Sequence, residues 1–131
     1  MKKIDWVSAG LLVLRIGIGL LFIWHGLPKI EGGVEKWTKL GSQMGHIGIH
    51  FLPAFWGFMA AISEFGGGIL MILGVFFRPA MALMFFTMLI AVITHISGGD
   101  GFNDWSHAAA TVVVFLALLI SGAGKYKVGK W

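Results

Sequence analysis

The chain has 131 residues, of which 57% are hydrophobic and 12% are charged, and its formal net charge is +4. A typical soluble domain is about half apolar and about a quarter charged. The composition therefore excludes a disordered chain and argues against a water-soluble enzyme. A bilayer-spanning helix needs about 20 residues, so four spans of about 80 residues would leave about 50 for ends and loops. We expect an all-α protein, an integral membrane four-helix bundle in contact with the lipid bilayer.

Four apolar segments are predicted to cross the membrane and to form a single domain over residues 1–131. The predicted spans are about 6–28, 51–75, 80–96 and 106–121. Charged residues on both sides of Trp37 predict a short amphipathic helix at the membrane surface between the first two spans. Arg78-Pro79 predicts a tight turn between the second and third spans. A turn-rich loop over 97–105 is expected to lead into a fourth helix capped by Asp104 or Ser106.

The distribution of charge predicts the orientation of the chain. Apart from Arg15, the basic residues lie outside the long apolar runs, which is typical of a membrane protein and not of a nucleic-acid-binding protein. Six of them fall on the side shared by both termini, against three on the other side: Lys2, Lys3, Arg78, Lys125, Lys127 and Lys130 against Lys29, Lys36 and Lys39. This bias predicts a multi-pass protein of the cell inner membrane with both termini in the cytoplasm.

Two opposite charges are predicted to meet inside the membrane. Arg15 and Glu64 lie at similar depths in the first two spans, roughly 14 Å and 16 Å from the cytoplasmic face at about 1.5 Å per residue. Because either charge alone would be costly in the bilayer, we expect a buried Arg15–Glu64 pair. One interpretation is a structural lock between two helices. The other is functional: Glu64 titrates, or Arg15 also contacts an anionic or carbonyl ligand.

Three histidines are expected at the opposite end of the bundle. His25 ends the first span, His95 ends the third and His107 begins the fourth, with Lys29 one helical turn after His25. Such a group could relay protons, hold a quinone carbonyl, bind a metal or ligate haem iron. It could equally consist of interfacial histidines bonded to loops or water. No pair with metal-ligand spacing lies on a predicted span, so no metal site is assigned; His46 and His50 have i, i+4 spacing but lie in a glycine-broken loop.

No cysteine occurs in the chain, which excludes disulfides, thiolate metal sites and cysteine nucleophiles. Small residues instead mark the second span, where Gly57 and Ala61, and Ser63 and Gly67, are spaced for close helix packing. Gly67 and Gly68 could alternatively leave space for a ligand beside Glu64. We favour close packing.

The ordered set of these residues resembles the DoxX family of small four-helix membrane proteins. The first span is similar to the family's R-x-x-x-G-x-x-F-x-x-H/A-G-x-x-K, through Arg15, Gly19, Phe22, His25, Gly26 and Lys29. The second is similar to E-x-x-G-G-x-x-L-x-x-G-x-x-x-R, through Glu64, Gly67, Gly68, Gly74 and Arg78. Ala91 and His95 fit the third helix, and Gly122-Ala123-Gly124 resembles the terminal G-x-G. The following residues depart from the family's more usual Arg-x-Ser-x-Asp.

The resemblance implies a link to redox chemistry, since some family members are subunits of a thiosulfate:quinone oxidoreductase and others belong to redox or oxidative-stress complexes. We therefore expect a redox-associated subunit working near the quinone pool, with quinone as the candidate ligand and redox subunits as candidate partners. Haem and metal are less favoured. The candidate ligand-binding or proton-relay residues are Arg15, His25, Lys29, Glu64, His95 and His107. No nucleophile with its base and orienting group is visible, so catalysis by this chain alone stays open.

Two further functions are compatible with the same residues. A small dimeric transporter could use Glu64 as its membrane carboxylate and exchange protons against a substrate. A non-catalytic membrane scaffold would need the ion pair only for structure.

Overall fold

The computed structural model describes residues 3–128. This part of the chain is all-helical, without a β-strand, and contains α1 (Trp6–Glu31), α2 (Gly33–Gly41), a 3₁₀ helix (Ser42–Ile47), α3 (Pro53–Leu73), α4 (Phe77–Ser97) and α5 (Phe102–Ser121). Four of these helices, α1, α3, α4 and α5, are long and apolar enough to cross a membrane. The predicted all-α fold with four spans is confirmed, and α2 lies where an amphipathic surface helix is expected.

The reversal between the second and third spans lies before the predicted turn at Arg78-Pro79, so that prediction is wrong. The chain turns at residues 74–76, and α4 already begins at Phe77. Gly74 ends α3 with φ 75°, in the left-handed region that glycine adopts without steric cost. Pro79 falls in the first turn of α4, where its missing N–H removes no intrahelical hydrogen bond.

The start of the fourth span also differs from the prediction. Gly101 precedes α5 in an extended conformation, and no side chain caps the helix. Asp104 and Ser106, the predicted caps, therefore lie inside α5. The carboxylate of Asp104 stands in the first helical turn, where a negative charge interacts favourably with the helix dipole.

Glycines allow α1 and α3 to approach each other closely. A Cβ atom on Gly68 would lie 2.7 Å from the carbonyl oxygen of Gly19, and one on Gly19 would lie 2.9 Å from that of Gly68. Further along, a Cβ atom on Gly26 would lie 2.6 Å from the backbone nitrogen of Phe65. Small residues permit this backbone contact between membrane helices. The same contacts define the register of α1 on α3.

Gly67, the neighbour of Gly68 on α3, also serves close packing of the helices. A Cβ atom on Gly67 would lie 2.7 Å from the sulfur of Met84, so the space next to this glycine is filled by the Met84 side chain. Met84 belongs to a buried cluster in the half of the bundle near the chain ends: Phe22, Met71, Phe77, Ala80, Met81, Met84, Phe115, Leu118 and Ala123. That half of the bundle is therefore filled with side chains.

Residues 122–128, which we call the C-terminal strap, close this filled end of the bundle. The N–H of Val128 donates to the carbonyl oxygen of Leu73 at 2.8 Å, and the N–H of Lys125 donates to the hydroxyl of Ser8 at 3.0 Å. The ammonium of Lys125 lies 3.1 Å from the carboxylate of Asp5. The backbone N–H of Ser8, together with Lys125, lowers the pKa of Asp5. These contacts place both described ends of the chain on one side of the membrane.

That side is predicted to be cytoplasmic. We expect a C-terminal reporter that works only in the cytoplasm to be active, because the basic residues are concentrated at this end. Activity of a reporter that works only in the periplasm would contradict the orientation while leaving the four spans intact.

Candidate functional site

Arg15 is fully buried and bonds to backbone oxygens. Its Nε donates to the carbonyl oxygen of Met71 at 2.9 Å, and Nη2 donates to that of Ile72 at 2.7 Å. Nη1 donates to the carbonyl oxygens of Ala123 and Tyr126, at 3.1 Å and 2.6 Å. Arg15 thus joins the last turn of α3 to the C-terminal strap, where the helix dipole favours a positive charge.

The predicted Arg15–Glu64 pair is therefore wrong. The predicted pair rested on the assumption that the start of α1 and the end of α3 lie at the same level of the bundle, on the side where the chain begins and ends. Contact with the carbonyl oxygen of Ile72 instead places the end of α3 beside Arg15, well inside α1. Glu64 precedes Ile72 by two helical turns, about 12 Å along the axis. The guanidinium of Arg15 therefore bonds to carbonyl oxygens at the end of α3, and the carboxylate of Glu64 lies too far along the helix to pair with it.

Glu64 pairs instead with Lys29. The Lys29 Nζ atom lies 2.9 Å from Oε1 and 2.7 Å from Oε2 of Glu64. The Glu64 side chain is 7% exposed and that of Lys29 is 28% exposed, so the pair lies at the edge of the buried interior. Lys29 is within reach because α1 continues as a helix through Pro28 to Glu31. Its carbonyl oxygen also accepts a hydrogen bond from Trp37 Nε1 at 2.9 Å, which ties α2 to this site.

The pairing can be measured with a double-mutant cycle of Lys29→Met and Glu64→Gln. We expect a coupling free energy of about 1–2 kcal/mol, because Lys29→Met leaves the carboxylate without its cation and Glu64→Gln removes the negative charge that pairs with Lys29. Denaturation by sodium dodecyl sulfate in mixed micelles, followed by circular dichroism, gives the free energies of unfolding. Arg78→Met with Glu64→Gln is the control cycle, expected to be additive within about 0.5 kcal/mol. Equal coupling in the two cycles would contradict the Lys29–Glu64 pair.

A cavity of about 680 Å³ occupies the half of the bundle away from the chain ends. The polar residues that line it are His25, Lys29, Glu64, His95, Asp104, His107 and Thr111. Apolar residues, among them Ile18, Phe22 and Met88, form the remainder. We call this space the histidine cavity. The structure brings together five of the six candidate site residues here and leaves Arg15 in the other half of the bundle.

The histidine cavity borders a gap between α1 and α5. Their backbones stay more than 8 Å apart along both helices, and the rings of Phe22 and Phe115 meet across the gap with centroids 5.1 Å apart. Leu21 on α1 and Ala110 on α5 line the cavity and are exposed on the surface of the bundle. The histidine cavity therefore reaches the surface of the bundle between two helices that are long and apolar enough to cross a membrane.

Three polar residues in or near the cavity were not among the site residues predicted from the sequence. Asp104 and Thr111 line the cavity with His107, and their spacing along α5 places all three on one helix face. Asp100 lies in the preceding loop, with its carboxylate 2.8 Å from Nδ1 of His95. The i, i+3, i+7 spacing of Asp104, His107 and Thr111 is the sequence signal that could have identified this face. Within residues 3–128, no three His, Asp or Glu side chains converge closely enough to hold a metal ion.

Comparison with known proteins agrees with the architecture. The DoxX family model matches residues 10–96. The chain is 32% identical to inner membrane protein YphA of Escherichia coli K12 over 126 residues, covering 87% of this chain and 84% of that protein. It is 32% identical to inner membrane protein YqjF of the same organism over 135 residues, covering 99% and 95%. It is 35% identical to the Bacillus subtilis 168 protein named "Putative oxidoreductase CatD" over 85 residues, covering 65% and 58%.

No solved structure matches the chain. The family assignment therefore rests on the sequence matches, which extend over most of the chain, and on the four membrane-spanning helices. The Arg15, Lys29 and Glu64 positions all fall within the matched residues. The protein belongs to the DoxX family and is a multi-pass inner-membrane protein.

Proposed function

We propose that this protein is a redox-associated membrane subunit that binds a quinone in the histidine cavity. The observation that carries the proposal is the cavity itself, a space of about 680 Å³ lined by apolar residues and by ionisable groups from all four membrane-spanning helices. Sites for small molecules have volumes of about 300–1,000 Å³, with apolar walls and a few polar groups that orient the ligand. A quinone combines an apolar ring with carbonyl oxygens, so it matches this distribution.

The polar residues of the cavity supply hydrogen-bond donors and a route for protons to a quinone head group. The N–H groups of His25, His95 and His107 can donate hydrogen bonds to carbonyl oxygens. Reduction of a quinone to a quinol also consumes two protons. His95 is bonded to Asp100 in the adjacent loop, so this pair is placed to pass protons between the membrane surface and the cavity. The Lys29–Glu64 pair joins α1 to α3, and both residues line the same cavity.

The gap between α1 and α5 fits a ligand that resides in the bilayer. A quinone with an isoprenoid tail could enter past Leu21 and Ala110 and leave its tail in the lipid. The protein would then work beside a redox partner subunit, which exchanges electrons with the bound quinone. The similarity to a Bacillus subtilis protein that is named as an oxidoreductase supports a redox role.

Quinone binding is testable by the thermal stability of the purified protein in detergent. Short-chain ubiquinone and menaquinone analogues are expected to raise the unfolding temperature by about 3 °C or more at saturating concentration. His25→Ala is expected to reduce this shift by half or more, because the imidazole lines the cavity.

His46→Ala is the matched control for this experiment. His46 lies in the 3₁₀ helix after α2 and does not line the histidine cavity, so its replacement should leave the quinone-induced shift unchanged. Equal loss of the shift in both variants, or no shift with any quinone analogue, would refute the proposal.

A further inference from the structure

We propose a second ligand site at the opposite end of the bundle, which binds the phosphate of an anionic phospholipid. A notch of about 280 Å³ lies between the start of α4 and the C-terminal strap. Arg78 and Lys127 are its charged residues, and Phe76, Phe77 and Pro79 are its apolar lining. We call it the basic notch. It is separate from the histidine cavity and shares no lining residue with it.

Arg78 is held in place by the end of α5. Its Nε donates to the carbonyl oxygen of Leu119 at 3.1 Å, and Nη2 makes a longer contact of 3.5 Å with that of Ile120. A Cβ atom on Gly122 would lie 3.0 Å from Nη2, so glycine preserves the space that the guanidinium occupies. Within residues 3–128, Nη1 donates to no protein acceptor. The planar group is thus oriented by the backbone and keeps N–H donors for a ligand, which suits the geometry of a phosphate.

Lys127 approaches the notch from the C-terminal strap. Its neighbour Val128 is bonded to Leu73, and its own N–H donates to the carbonyl oxygen of Lys125 at 3.2 Å. The strap therefore positions this lysine beside the turn after α3. In the described part of the chain, no carboxylate lies within 4.0 Å of Arg78 or Lys127. Within residues 3–128, the two cations line one notch without a carboxylate to neutralise them.

The surroundings of the notch indicate a lipid head group. The same end of the bundle also carries Lys3, whereas its acidic residue Asp5 is already paired with Lys125. The notch lies where α4 begins and α5 ends, the level at which a spanning bundle meets the head groups. Phe76, which is 54% exposed, belongs to the apolar lining of the notch. Basic pockets between membrane helices bind anionic head groups in this way, because each basic residue near the surface attracts the negative charge of the lipid.

The experiment measures the unfolding temperature of the full-length protein in detergent with added phosphatidylglycerol, phosphatidylcholine or inorganic phosphate. Phosphatidylglycerol is expected to raise it by about 4 °C or more. Both Arg78→Gln and Lys127→Gln should lose at least about half of that shift, because each removes one of two cations. Lys39→Gln on α2, outside the notch, is the matched control and should retain the full shift.

Three results would overturn the assignment. The first is an equal shift with phosphatidylcholine, which would indicate a response to any lipid. The second is an equal shift with inorganic phosphate, which would assign the notch to a free anion. The third is a full phosphatidylglycerol shift in Lys127→Gln. This variant leaves every described helix contact of Arg78 in place. It therefore tests the site even if Arg78→Gln fails to fold.

Discussion

Replacing Arg15 with methionine is expected to lower the free energy of unfolding by about 3–5 kcal/mol, since each buried carbonyl oxygen left without a donor costs about 1–3 kcal/mol. Four backbone oxygens accept hydrogen bonds from this guanidinium, and they belong to two separate segments of the chain. Methionine keeps the apolar stem but donates nothing. Denaturation by sodium dodecyl sulfate, followed by circular dichroism, measures the loss.

Two companion variants separate this account from a buried ion pair. Arg78→Met removes an exposed arginine with two backbone contacts and should cost about 1 kcal/mol or less. Adding Glu64→Gln to Arg15→Met should restore no stability, because Glu64 is bonded to Lys29. Recovery of stability in the Arg15→Met/Glu64→Gln protein would show that the two charges interact, in disagreement with the structure.

Replacing Gly68 with leucine is expected to separate α1 from α3 and to cost about 3 kcal/mol or more, or to prevent folding. The side chain would begin 2.7 Å from the carbonyl oxygen of Gly19, and a backbone atom on a packed helix cannot move aside cheaply. The yield of folded protein and its midpoint of denaturation measure the effect.

Gly66 provides the matched control on the same helix. A Cβ atom there would meet nothing within 4 Å, so Gly66→Leu enters open space. Leucine also forms helix better than glycine by about 0.5–1 kcal/mol, which offsets small losses elsewhere. We expect Gly66→Leu to remain within about 1 kcal/mol of the natural chain. Similar losses in both variants would mean that close packing of α1 on α3 is not what Gly68 provides.

The fold was largely predictable because the length and hydropathy of a segment identify a membrane-spanning helix. The grouping of His25, His95 and His107 was also predictable, since antiparallel spans bring alternate helix ends to one surface. The start of α4 was missed because Gly74 ends α3 and the chain reverses before Arg78-Pro79. The start of α5 was missed because Gly101 precedes the helix, ahead of the predicted caps Asp104 and Ser106. These errors moved helix ends without altering which side chains share the cavity.

The partners of Arg15 and Glu64 could not be predicted from depth alone. Depth depends on where each helix ends and on the register between helices, and that register is set by the contact of Gly19 with Gly68. Backbone oxygens such as those of Ala123 and Tyr126 carry no signature in the sequence, although any buried donor can use them. A charge-pairing argument that counts only side chains therefore overlooked the four acceptors nearest to Arg15.

We propose that a quinone enters the histidine cavity through the gap between α1 and α5. Covalent labelling of the purified protein by a photoreactive quinone tests it most directly, with labelled peptides identified by mass spectrometry. Ala110 lines the cavity at the gap, whereas Ala117 is exposed on the same helix and does not line it. We expect labelling of cavity-lining peptides that is lost in Ala110→Trp and retained in Ala117→Trp. Equal labelling of both variants, or labelling confined to peptides outside the cavity, would contradict it.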